Sequence, residues 1–111
     1  MKTGDIVLVN FHGATGIKRR PAVVVSTDVY HRERPDVIVG VISTQIDSAN
    51  SPTDYLLKDW RSAGLPKESV FRAYLGTYER HLISSVVGTL SKRDWREVRA
   101  RLSTAIEVGE P

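Results

Sequence analysis

The chain has no cysteine, which excludes disulfides and thiolate chemistry and makes a cytoplasmic setting the expectation. Nowhere does it run to about 18 consecutive apolar residues, so no membrane-spanning helix is expected. The opening Met1-Lys2-Thr3-Gly4-Asp5 reaches an acidic residue and a short strand pattern, unlike a signal peptide. Its histidines, His12, His31 and His81, are scattered without ligand spacing, and Asp and Glu are not clustered, so no metal or other cofactor is expected. Neither a Gly-x-x-x-x-Gly-Lys-Ser/Thr loop nor a Gly-x-Gly-x-x-Gly fingerprint occurs. Repeats, linkers and low-complexity tracts are absent too, and residues 1–111 read as one domain.

With 111 residues, 41% hydrophobic and 26% charged, there is material for one hydrophobic core but not two. The formal net charge of +3 is unevenly placed. Lys18, Arg19 and Arg20 cluster near the N-terminus, while Lys92, Arg93, Arg96, Arg99 and Arg101 load the C-terminal segment. An acidic partner, whether RNA, DNA or an acidic peptide, fits that distribution.

Short apolar, β-branched runs predict strands at Ile6–Phe11, Pro21–Ser26 and Asp36–Ile42. Tyr55–Leu57 and Val70–Thr77 predict two more, and Ile83–Leu90 the last, with Gly88 marking a bulge or close approach. His12–Arg20 reads as a loop, Val29–Arg34 as a polar excursion, and residues 43–53 as the longest surface loop. Asp59–Gly64 predicts one helical turn stopped by glycine. At the C-terminus Ser91 is a good N-cap, with Asp94 completing a Ser-x-x-Asp capping pattern. Trp95, Val98, Leu102, Ala105 and Ile106 then recur at helical spacing. Short antiparallel strands closed by one C-terminal helix predict a mainly β small barrel or strongly bent sheet.

Two segments can carry chemistry. Gly16-Ile17-Lys18-Arg19-Arg20-Pro21 runs into the buried strand Ala22-Val23-Val24-Val25, and Pro21 restrains Arg20 to extended geometry at its entrance. The segment reads either as a solvated charge run or as an anion site. Ser43 and Thr44, where the third strand leaves the core, are either hydroxyl donors to a phosphate or small polar residues ending a strand.

Taken in order, Gly4-Asp5-Ile6-Val7, the basic segment, Arg20-Pro21-Ala22-Val23-Val24-Val25-Ser26, Ile42-Ser43-Thr44, Gly64-Leu65-Pro66-Lys67-Glu68-Ser69-Val70 and Gly88-Thr89-Leu90-Ser91 resemble the PemK/MazF family of toxin endoribonucleases. The resemblance covers nearly the whole chain. It implies an SH3-like barrel of the CcdB/PemK/MazF type with a C-terminal helix. It also implies a homodimer, metal-independent cutting of single-stranded RNA, and an inhibitory antitoxin. By position, Arg20 matches the family's catalytic arginine and Ser43 its catalytic threonine, with Thr44 a substitute hydroxyl in the altered Ile-Ser-Thr order. Arg72 matches an arginine some members carry, although Phe71–Thr77 contains no aspartate.

The implied reaction is attack of an RNA 2′-OH on the adjacent phosphorus, which yields a 2′,3′-cyclic phosphate and a 5′-OH. Arg20 is then the charge stabiliser, Ser43 or Thr44 a neutral donor, and His12 or Arg72 a proton shuttle. Lys18 and Arg19 would guide the backbone, with Gln45, Tyr74 and Thr77 also contacting RNA. Tyr55, Tyr74 and Tyr78 are candidate stacking platforms, although a tyrosine in such a chain is more often core or rim than platform. The competing readings are a CcdB-like binder of gyrase that cuts nothing, and a degenerate module retaining only antitoxin contacts.

Overall fold

The basic segment is half of a hairpin. β1 (Asp5–Gly13) pairs antiparallel with β2 (Gly16–Val24) from Ile6↔Val23 to Gly13↔Gly16. The loop expected over His12–Arg20 is therefore mostly strand, and Lys18, Arg19 and Arg20 stand on β2. Gly16, at φ +117°, supplies the left-handed backbone at the turn. The computed structural model describes residues 1–14, 16–48 and 50–106, without the side chains of 11–13.

After β2, Thr27 caps a short helix α1 (Asp28–Glu33), its side chain accepting from the Tyr30 N–H at 3.4 Å. This helix replaces the expected polar excursion. β3 (Asp36–Ser43) follows, then a 3-10 turn at Ile46–Ser48, β4 (Asp54–Leu56) and β5 (Val70–Glu79). A second 3-10 turn (Arg80–Leu82) leads to β6 (Ser85–Thr89) and α2 (Lys92–Ile106). The strands form one antiparallel sheet in the order β4-β5-β3-β2-β1-β6. Register shifts between Ile6 and Val7, and between Gly40 and Ile42, curl it. The mainly β fold with a C-terminal helix is thus as expected. Among the described residues no helix is long and apolar enough to cross a membrane.

Both faces of the sheet are covered, which is why the strands read as unbroken apolar runs. Ile6 and Val7 are adjacent, and each is fully buried in a different cluster. On the α2 side lie Ile6, Val23, Ile42, Phe71, Val98 and Leu102. On the other lie Val7, Val9, Ala22, Val24, Val37 and Val39, with Tyr78 and Ile83 packed on them. A Cβ on Gly88 would run into the Ala63 carbonyl, the close approach that its place in a strand suggested.

The α2 start combines expectation and correction. Ser91 caps it, its Oγ accepting from Asp94 N–H at 3.2 Å. The Asp94 carboxylate does not close a capping box. It is fully buried and accepts from the Tyr55 hydroxyl (2.7 Å) and the N–H groups of Lys58 (3.1 Å) and Asp59 (2.8 Å). The apolar stripe of α2 buries Val98 and Leu102, while Ile106 is exposed.

Candidate active site

Strand alternation decides which of the candidate residues share a face. Arg20 pairs with Val9, so its side chain leaves the sheet on the side of the Val9 cluster, away from α2. Lys18, two residues earlier, shares that face; Arg19 takes the other. The three cations therefore do not make one track.

On β3 the same face carries Val37 and Val39, then Val41 and Ser43. β2 and β3 pair from Val24↔Val39 to Ala22↔Val41. The pairing ends there; the same register carried two residues further would set Arg20 opposite Ser43. On β5, Phe71, Ala73 and Leu75 pack towards α2, which sends Arg72 and Tyr74 to the Arg20 face. Thr77, paired with Ile38, falls on the α2 side of the sheet, away from Arg20.

Among the described residues Lys18, Arg19 and Arg20 make no ion pair or side-chain hydrogen bond. Arg20 is exposed, and among the described residues nothing occupies its guanidinium donors. The half-buried Ser43 accepts from the Gln45 N–H at 3.1 Å, which orients its Oγ and leaves its own hydrogen to donate. Thr44 and Gln45 follow as exposed residues of the loop. Tyr74 is 70% exposed, a large aromatic surface left in water.

Arg72 is differently placed. It is an engaged residue, with Nη1 3.1 Å from Asp54 Oδ2 and Nη2 donating to the Gln45 carbonyl (2.9 Å) and Ser48 Oγ (2.8 Å). An aspartate does therefore accompany Arg72, but it comes from β4, where Asp54 pairs with Arg72 across the ladder. Sequence reasoning missed Asp54 because nothing local announces that pairing.

Two of the three candidate stacking tyrosines are occupied. Tyr55 is buried, donates to Asp94 and lies beneath the Arg101 guanidinium, 5.0 Å from its ring centre. Burial and the Asp94 carboxylate push its phenol well above the usual range. Tyr78 packs on the Val37–Val39 cluster. The His12 backbone pairs with Ile17, and its side chain lies outside the described residues. His81 is exposed beside Glu79 at 3.3 Å. Among the described residues no three His, Cys, Asp or Glu side chains gather as metal ligands.

A groove of about 210 Å³ beside the hairpin is lined by Asn10, Ile17, Tyr78 and Leu82. Arg20 and Ser43 are not among the residues that line it.

Residues 2–106 match the model of the PemK-like, MazF-like toxins of type II toxin–antitoxin systems. In fold the chain is similar to an endoribonuclease from a mycobacterial species, solved in complex with its cognate antitoxin. That match has 17% identity and a TM-score of 0.80, covering 100% of this chain and 99% of the other. It is also similar to the Mycobacterium tuberculosis toxin MazF-mt6, at 17% identity and a TM-score of 0.75, covering 96% of this chain and 99% of that one. A MazE–MazF structure from Deinococcus radiodurans matches at 18% identity and a TM-score of 0.73, with 98% and 97% covered. No curated protein matches.

Proposed function

The chain belongs to the PemK-like, MazF-like toxins of type II toxin–antitoxin systems, and from that premise we propose that it is a metal-independent endoribonuclease acting on single-stranded RNA at the face of Arg20 and Ser43. The observation that carries the reading is Arg20: exposed, unpaired among the described residues, and on the face of the sheet that Ser43 shares.

In the reaction the 2′-oxygen of one nucleotide attacks the adjacent phosphorus and the bond to the 5′-oxygen breaks. The 2′-proton is taken up as the ring closes, and a proton reaches the departing 5′-oxygen. Between those events the phosphorane carries an extra negative charge. The planar Arg20 fork meets two of its oxygens, and the Ser43 hydroxyl donates to the same phosphate. Lys18 stands on the same face and holds a neighbouring phosphate. Tyr74 offers a ring on which a splayed base stacks. Single-stranded RNA suits such a site because the 2′-oxygen must rotate into line with the leaving oxygen.

The partners follow from the same reading. The mycobacterial neighbour is bound to its cognate antitoxin, and an acidic antitoxin suits the exposed cations of this chain. Exposed Ile17, Leu82 and Val86 at the hairpin and the β6 edge support a homodimer.

The test is incubation of a single-stranded RNA with the wild type and with Arg20→Ala, in the presence of EDTA. Cutting by the wild type that the variant loses by 10²–10³-fold, roughly what one preorganised donor contributes, is the expected result. RNA left intact by the wild type sinks the reading and favours a CcdB-like binder, for which a gyrase supercoiling assay is the next measurement.

A further inference from the structure

The Arg72 guanidinium closes the 44–53 loop from both ends. At the first end Nη2 donates to the Gln45 carbonyl and to Ser48 Oγ, and Ser48 Oγ itself donates to the Gln45 carbonyl at 3.3 Å. At the second, Nη1 meets Asp54 Oδ2, which also accepts the Ser51 N–H at 3.2 Å. The Asp54 side chain is only 8% exposed and that of Arg72 25% exposed, so the pair is shielded from the solvent that weakens surface ion pairs. Gln45 then passes the constraint to the site, because its N–H fixes the Ser43 oxygen.

Both Nη2 hydrogens have partners inside the chain, so Arg72 cannot cradle a phosphate through them without releasing the loop. The loop borders the Ser43 hydroxyl, where the base beside the scissile phosphate would lie. We infer that Arg72 and Asp54 are positioning residues that fix the two ends of the 44–53 loop, at Gln45–Ser48 and at Ser51, and thereby set which nucleotides are admitted beside the cut. The inference rests on the endoribonuclease reading above.

The experiment compares the wild type, Arg72→Lys, Asp54→Asn and Ser43→Ala on a pool of single-stranded RNAs of all short sequence contexts, mapping cut sites and measuring kcat and KM. Lysine keeps the charge but cannot bridge three acceptors in one plane. The expected result is that Arg72→Lys and Asp54→Asn still cut, at new sequences, with kcat at the preferred one reduced by up to about 10²-fold. Joining the two substitutions should cost little more than either alone. A uniform loss in Arg72→Lys at every site, with cut positions unchanged, overturns the inference and makes Arg72 part of the chemistry. An unaltered cut pattern and rate in the folded variants overturns it as well.

Hydrogen exchange at the amides of Gln45, Ile46, Asn50 and Ser51 separates this inference from the reading beneath it. Faster exchange there in Asp54→Asn, with the sheet protected, supports the clamp even if no RNA is cut. Unchanged exchange overturns the clamp even if wild-type RNA cutting is strong.

Discussion

Tyr55 and Asp94, 39 positions apart, share a buried hydrogen bond of 2.7 Å that joins β4 to the first turn of α2. The same carboxylate caps the turn at Lys58 and Asp59, so one side chain ties three segments together. Asp94→Ala leaves a buried phenol and two N–H groups without partners and should destabilise the fold by roughly 3 kcal/mol or more. Tyr55→Phe removes only the donor and should cost about 1–3 kcal/mol. Urea unfolding of both variants checks the order; equal and negligible costs would refute the tie.

His31 gives the fold a dependence on pH. Its Nε2 lies 2.6 Å from Ser26 Oγ, which also accepts the Ile38 N–H at 3.0 Å. Burial, then the Arg80 charge and more distantly the N-terminal amine, lower its pKa from the ordinary 6.5, while Asp28 works the other way. The unfolded chain therefore takes up this proton first on acidification. The contribution is complete above pH 6.5 and is lost as pH falls through that value towards the lower folded-state pKa. Denaturation midpoints at pH 7.5 and 5.5 should separate in the wild type and converge in His31→Gln.

Gly88→Ala puts a methyl group against the Ala63 carbonyl, backbone against which it cannot swing aside. We expect a loss of about 1–3 kcal/mol, as for other overpacked sites, read from thermal unfolding. A variant as stable as the wild type would mean that β6 can move away from the Ala63–Gly64 turn.

Tyr74→Ala should weaken RNA binding by about 1–3 kcal/mol, the usual worth of one stacked base, with little change in stability because the ring is 70% exposed. Tyr78→Ala should instead lower stability, since that ring covers the Val37–Val39 cluster. Fluorescence titration with an uncleavable RNA, alongside melting curves, distinguishes the two tyrosines.

Lys18→Ala and Arg19→Ala should differ although the residues are neighbours. Lys18 shares the Arg20 face and its loss should reduce the salt dependence of RNA binding by roughly one phosphate contact. Arg19→Ala should leave the slope nearly unchanged. Equal effects would place both cations against RNA.

Much of this was legible from residue order because strands covered on both faces leave a plain record of β-branched runs, and Ser91 opens its helix by a local rule. Helix α1 escaped because it buries no residue, so no apolar stripe marks it. The extension of β2 through Lys18–Arg20 escaped because charged residues on an exposed hairpin look like loop. At the candidate site, Arg20 and Ser43 were singled out through the order of motifs. The engagement of Arg72 was not, because it depends on β4 pairing with β5, a contact 18 residues apart that no local pattern encodes.

Because the cations stand on a strand, their arrangement obeys parity. Lys18 and Arg20 are spaced by two pleats, about 6.7 Å, and point the same way only while one residue separates them. Deleting Arg19 would bring a lysine next to Arg20 and turn it to the opposite surface, although composition and net fold would hardly change. Length is therefore a functional variable within β2, whereas added residues at the turn beyond Gly13 would leave the two side chains aligned.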